Sequence, residues 1–332
     1  MIICSRCVLP QTFPGISFDQ NGVCNYCSHT QMPGEDEKQD YLKRFESLLA
    51  EKKSNRDFDV ILAYSGGKDS TYTLYLLRKH YDLKVLSLVF DNGFISDQAK
   101  YNINQMTDTL GATNIIVKPP FDLMQKAFHI AAQKEFYSPK TLDRASSICT
   151  TCIGMVKGII LKTALALEIP LVAFGWSPGQ APLSSAIMQT NPRLQRITHR
   201  TIRDPLLSLV GKELQPYFLH DVDLSIEKSR WPINIHPLAF FEYDEGLILD
   251  TIKKLGWVKP DDTDPNSTNC LLNALANYLH RKRFDFHPYA WEIAGIVRSG
   301  CMHREEGIEK VSQDEDMQMV GYAAKLLNIA ID

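Results

Sequence analysis

DVILAYSGGKDSTYTLYLLRKH, residues 59–80, runs from a short apolar stretch through a glycine turn into a helical pattern. Val60, Ile61, Leu62 and Ala63 show no polar alternation, as expected of a strand covered on both faces. Tyr72, Leu76 and Leu77 then recur at helical spacing. Between the two lies Ser65-Gly66-Gly67-Lys68-Asp69-Ser70. Paired glycines let the backbone turn tightly, so its N–H groups converge on an anion at a helix N-terminus. Ser65 and Ser70 add hydroxyls and Lys68 adds a positive charge. The pattern is not G-x-x-x-x-G-K-[ST], which disfavours a Walker-type nucleoside triphosphatase. A solvated glycine turn is the alternative, and the strand–loop–helix setting favours the anion site.

Around this unit the pattern repeats. KVLSLVF and NIIVK read as strands, and DQAKYNINQMTDTLG as a helix closed by Gly111. LMQKAFHIAAQKEF and GMVKGIILKTALALE read as helices, and PLVAFG as a strand. Strands alternating with helices predict an α/β fold with a doubly wound parallel sheet, whose ligand site lies at the carboxyl edge of the strands. The expected organisation is a zinc ribbon over 1–32, a linker helix within 33–57 and a nucleotide-binding domain over 58–182. A mainly helical C-terminal substrate region follows over 183–332. There, NCLLNALANYLHRKR is the clearest helix after that ending at Gly256, with Ser267 or Thr268 as its expected cap.

The chain has 332 residues, enough for one large core with an appendage. Its formal charge of −3 supplies no overall basic field for nucleic acid, although a local patch is compatible with it. No apolar run of membrane-spanning length is evident, and MIICSRCVLP lacks signal-peptide regions, so a cytoplasmic protein with no membrane partner is expected. In that compartment the 8 cysteines suggest metal or redox chemistry rather than disulfides.

Cys4, Cys7, Cys24 and Cys27 form C-x2-C-x16-C-x2-C, a zinc-ribbon pattern. Four thiolates leave a zinc ion no open position, so this Zn²⁺ is structural. CTTC at 149–152 is then a third pair, placed ahead of the GMVKGIILKTALALE helix, and Cys270 lies directly before another helix. Cys149, Cys152 and Cys270 are candidate members of a second functional cysteine site. A second zinc, a catalytic disulfide or persulfide, or simple packing are the alternatives. Cys301 has no partner at motif spacing and reads as a helix-start residue. His199, His236 and His287 read as structural, and Arg196, Arg200 and Arg203 as a solvated face.

YSGGKDST resembles the PP-loop of N-type ATP pyrophosphatases, the superfamily of GMP synthetase, asparagine synthetase and tRNA thiolases. That resemblance implies ATP, Mg²⁺, release of pyrophosphate and transfer of AMP onto a carbonyl or amide oxygen. Ser65, Gly66, Gly67 and Ser70 would hold the pyrophosphate, Lys68 would neutralise it, and Asp69 would cap the helix or support Mg²⁺. Asp91, in FDNGF, and Gly175, in FGWSPGQAP, would line the nucleotide site. CSRCVLPQTFPGISFDQNGVCNYC and VRSGCMHREEGIEKV resemble the ends of N-acetyl sugar amidotransferases, in which ammonia from a partner glutaminase attacks an adenylated acetamido group. The segment from CTTC to VAFG instead resembles PP-loop tRNA thiolases carrying a [4Fe–4S] cluster on three cysteines, which implies a cluster on Cys149, Cys152 and Cys270 with one iron left free and points to sulfur transfer from a donor partner to RNA or a small molecule. Sulfur transfer with Lys68, Asp69, Cys149, Cys152 and Cys270 as catalytic residues is the expectation. Amidotransfer is the first alternative and a non-catalytic nucleotide-binding protein the second. A homodimer is compatible with all three.

Overall fold

The computed structural model describes residues 2–30, 33–52, 56–264 and 266–331. In chain order, helix α1 spans Glu35–Lys52, strand β1 Val60–Ala63 and helix α2 Lys68–Tyr75, which runs on through a π turn at Leu76–His80. Then come β2 (Val85–Phe90), α3 (Asp97–Leu110), β3 (Thr113–Val117), α4 (Phe121–Gln133), α5 (Ser147–Ala166) and β4 (Leu171–Phe174). Strands β5 (Ile187–Gln189) and β6 (Ile233–Ile235) precede α6 (Glu245–Lys254), α7 (Asn273–Phe284), α8 (Ala290–Arg298), α9 (Arg304–Ser312) and α10 (Met317–Leu326). Lys53, Ser54 and Asn55 of the expected linker-helix segment lie outside the described residues, as do Met1, Gln31 and Met32 of the ribbon segment.

The strands form one six-stranded sheet in the order β3-β2-β1-β4-β6-β5. Every pairing is parallel except β5 with β6. Alternate side chains serve opposite faces, as the pleat requires. Val60, Leu62, Leu171 and Ala173 pack with α2 and α3 residues such as Leu74 and Ile103, whereas Ile61, Leu86, Val172 and Phe174 pack against Ile160 and Ala164 of α5. The doubly wound sheet is thus present. Its order reverses between β1 and β4, so the loops leaving these two strands open a crevice at the carboxyl edge.

The region beyond residue 182 is mainly helical, as expected, and adds the short strands β5 and β6 to the sheet. Three features differ from the sequence reading. CTTC lies within the first two turns of α5 rather than ahead of it, because Ser146 accepts the Cys149 N–H and starts the helix there. This same α5 is, by length and composition, apolar enough to cross a membrane, contrary to the expectation that no such run exists. Its apolar surface packs within the protein, with Ile148 and Met155 in one core cluster and Ile160 and Ala164 in another. Cys301 lies in the turn between α8 and α9, after Gly300 at φ +71°, not at a helix start.

The N-terminal segment docks on α8. Phe13 stacks on Trp291 with centroids 5.7 Å apart and meets Phe286 edge-on at 5.2 Å. Arg304 donates from Nε to the carbonyls of Cys4 and Cys7, both at 3.1 Å, tying the first knuckle to α9.

Candidate active site

The loop after β1 is fixed by partners distant in sequence. Gly66 adopts φ +76°, a left-handed conformation that glycine tolerates without strain. Its carbonyl accepts the Trp257 indole N–H at 2.9 Å. The Ser65 and Ser70 hydroxyls lie 3.1 Å apart, and the Gly67 N–H donates to Ser65 Oγ at 3.3 Å. The Lys68 N–H, at the start of α2, donates to Thr268 Oγ1 at 3.1 Å. Thr268 therefore caps the loop helix, while α7, which it was expected to cap, begins after Leu272 with no side-chain cap. Asp69 does not cap α2 either, since its carboxylate is engaged elsewhere. Lys68 Nζ lies 2.9 Å from Asp69 Oδ1 and 3.0 Å from Tyr243 OH, and Tyr243 OH donates to Asp69 Oδ1 at 3.1 Å. Burial opposes the Lys68 charge, but Asp69, Tyr243 and Glu245 outweigh it and raise the pKa, holding the ammonium protonated.

Gly175 ends β4 directly against this loop. A Cβ there would lie 2.5 Å from Ser70 Cα and 2.7 Å from Ser70 N. The two loops of the switch point therefore touch backbone to backbone. Asp91 ends β2 in a separate network: its carboxylate accepts the Gly93 N–H at 3.0 Å and lies 3.2 Å from Lys118 Nζ.

The three outlying cysteines come together. Cys149 and Cys152, three residues apart in the first two turns of α5, share a face. Cys270 reaches them because its segment pairs with the stretch after β2. Ile95 and Cys270 form an antiparallel bridge, and Leu271 N–H donates to the Phe94 carbonyl at 2.9 Å. All three line one cavity of about 200 Å³ with Asn92, Asn273, Tyr289 and Glu292. Asn92 Nδ2 donates to Cys152 Sγ at 3.4 Å, and Asn273 Nδ2 lies 4.0 Å from Cys149 Sγ. Burial raises all three thiol pKa values, that of Cys152 to about 12. Burial keeps the thiols protonated, whereas bound iron would draw the protons off.

The two cysteine groups differ in spacing. Cys4–Cys27 and Cys7–Cys24 sulfurs are 3.8 Å apart in each pair. Zinc–sulfur bonds of about 2.3 Å at tetrahedral angles put sulfurs about 3.8 Å apart, so this quartet fits one zinc ion. Among the described residues it is the one His/Cys/Asp/Glu group whose ligand atoms all lie within 4.8 Å of one another. Cys149, Cys152 and Cys270 are more widely set, around a cavity with room for more than one ion and with N–H donors aimed at sulfur. That donor set fits an iron–sulfur cluster better than a second zinc.

Sequence reasoning missed two titratable residues. Lys157, five residues beyond Cys152 on α5, places Nζ 4.5 Å from the Trp176 ring centroid. Burial, aided by Arg144, lowers its pKa to about 8. A lysine inside the apolar run CIGMVKGII was the available signal. Glu292, on α8, accepts the Ser177 hydroxyl at 2.8 Å, and burial pushes its carboxyl up to about 7. Nothing in its local sequence marks it, because the contact spans 115 residues. His236 is buried and stacked on Trp176, and His287 is buried too, as expected of structural histidines. Arg203 departs from the expected solvated face: it is buried and pairs with Asp204 and Asp221 at 2.8 and 2.9 Å.

No family model matches the chain. An uncharacterized protein of Methanocaldococcus jannaschii is 22% identical over 314 residues, 93% of each chain. Among solved structures, the U34-tRNA thiolase NcsA from Methanococcus maripaludis, determined with its [4Fe–4S] cluster, is 17% identical. It aligns over 100% of this chain and 99% of its own, with a TM-score of 0.37. NMN synthetase from Francisella tularensis is 11% identical over 89% of this chain and 98% of its own, also at a TM-score of 0.37. Likeness at these levels identifies no activity.

Proposed function

We propose that the chain is an adenylating transferase: ATP with Mg²⁺ gives up pyrophosphate at SGGKDS, AMP joins a substrate carbonyl or amide oxygen, and a sulfur nucleophile displaces it. The observation that carries this reading is the adjacency of two sites. A phosphate-type loop with a protonated lysine sits at the switch point, and Tyr289 and Glu292 line both its cavity and that of Cys149, Cys152 and Cys270.

The roles follow from position. The Gly67 and Lys68 N–H groups, which donate to Ser65 and Thr268 in the free protein, would exchange those partners for the β- and γ-phosphates, and Lys68 Nζ offsets the charge that builds on the leaving pyrophosphate. Asp69, already beside Lys68, would hold Mg²⁺, which would supply positive charge at the phosphates. Gly175 lets the loop after β4 pack directly against the phosphate loop, and Asp91 closes the ribose side of the nucleotide. An unactivated carbonyl oxygen leaves poorly, whereas AMP leaves readily, so activation and displacement share one substrate position. A [4Fe–4S] cluster on Cys149, Cys152 and Cys270 would supply an iron with no protein ligand, able to hold sulfide. Asn92 and Asn273 would then orient the thiolates.

The test is single-turnover release of pyrophosphate and AMP from labelled ATP. Bulk tRNA with sodium sulfide is one acceptor mixture, and an N-acetylated sugar nucleotide with ammonium chloride is the other. Equal yields of AMP and pyrophosphate with the first mixture are expected. Yields with the second alone would move the nucleophile from sulfur to nitrogen. No release with either would refute adenylation and favour a nucleotide-binding protein.

A further inference from the structure

Among the described residues Glu292 is the one acidic residue lining the three-cysteine cavity, and with Tyr289 it also lines the cavity of Lys68 and Asp69. The wall it belongs to is rigid. A Cβ on Gly295 would lie 2.6 Å from Gly179 Cα, so α8 and the loop after β4 meet backbone to backbone. A Cβ on Gly179 would in turn strike the Glu292 carbonyl. Ser177 holds Oε1 at 2.8 Å, and Asn273 Nδ2 holds Tyr289 OH at 2.9 Å beside it. The groups facing the carboxyl are Asp69 and Lys68 from α2, Tyr243 before α6, Ser177 and Gln180 from the loop, and Tyr289 at the start of its own helix. Nothing in the adenylation step uses a carboxylate at this place.

We propose that Glu292 is the general base of the transfer step, taking the proton that the nucleophile sheds when AMP departs. This rests on the adenylation reading. Hydrosulfide adds through a sulfur lone pair to the carbon bearing the adenylated oxygen. The C–O bond to AMP breaks, and its electron pair leaves with the phosphate oxygen. The S–H proton passes to Glu292, giving C=S, AMP and a neutral carboxyl. A base poised near neutrality suits this task, because it is part-ionised before the reaction and still holds the proton after it. Burial is the main cause of that poise, and the Ser177 hydrogen bond limits it by favouring the ionised form.

The test has two arms, both on the full chain. Infrared titration of the free protein should find a protonated carboxyl band at pH 6 that vanishes by about pH 8, is absent in Glu292→Gln, and moves to higher pH with Mg–ATP present. Its absence from wild type overturns the proposal. In single turnover with the acceptor that elicits pyrophosphate, AMP formation should rise with pH through about 7. Glu292→Gln should lose that limb and slow AMP formation about 100-fold, far more than pyrophosphate release. Ser177→Ala should shift the limb to higher pH, and Glu292→Asp should retain a limb at reduced rate. These two variants decide the matter if Glu292→Gln does not fold. An unchanged limb and rate in Glu292→Gln, or an unmoved limb in Ser177→Ala, overturns it. Failure of wild type to release pyrophosphate refutes adenylation instead, while the infrared arm still reads Glu292.

Discussion

Replacing Gly175 by alanine would place a methyl 2.5 Å from Ser70 Cα, 2.7 Å from Ser70 N and 2.9 Å from the Asp69 carbonyl carbon. Carbon atoms settle at about 3.5–4.0 Å, so something must retreat by about 1 Å. No flexible side chain is available to do so. Ser70 N is in the first turn of α2, and Gly175 follows β4, which pairs with both β1 and β6. Overpacking of this kind costs about 1–3 kcal/mol. If the loop yields, the cost falls on the phosphate cradle, and nucleotide affinity drops about 5- to 150-fold. If the strand yields, the cost appears as a lower Tm. Titration calorimetry with a non-hydrolysable Mg–ATP analogue, paired with thermal unfolding, reads both. Gly321→Ala on α10 is the control, since a Cβ there meets nothing within 4 Å. Helix propensity predicts that it gains up to about 1 kcal/mol of stability, with affinity unchanged. Wild-type affinity and wild-type Tm in Gly175→Ala would refute the claim that the two loops are packed backbone to backbone.

Trp257→Phe removes the 2.9 Å hydrogen bond to the Gly66 carbonyl and should destabilise the fold by about 1–3 kcal/mol, read by urea unfolding. Chelation of the ribbon metal, or Cys27→Ser, should release one zinc per chain and expose the contact between Phe13 and α8 to limited proteolysis. Lys157 binds fewer protons folded than unfolded between pH 8 and its ordinary 10.5, so its burial cost is full below about pH 8 and fades towards 10.5. Lys157→Met should therefore add on the order of 1 kcal/mol at pH 7 and flatten the rise in stability above pH 8. Equal pH dependence in the two proteins would refute the assignment.

What was legible in the sequence had local causes. The strand–loop–helix unit at 59–80, the Gly111 cap and the ribbon spacing all depend on residues near one another, and the structure places each as read. The convergence of Cys149, Cys152 and Cys270 was legible by type and order alone. The short bridge between Ile95 and Cys270 that produces it leaves no periodic trace. Thr268 was read as a local cap and instead serves a helix 200 residues away. Tyr243, Trp257 and Glu292 were invisible for the same reason, since each acts on the loop or cavity only through a tertiary contact. The start of α5 was misplaced because the Ser146 cap precedes, rather than follows, the cysteine pair.

The most direct test of the central claim is iron, labile-sulfide and zinc analysis of the anaerobically purified chain beside its Cys270→Ala variant. The account predicts about four iron and four sulfide with one zinc per chain, and loss of the iron but not the zinc on removing Cys270. Zinc alone in the wild-type chain, or iron unaffected by Cys270→Ala, would contradict it.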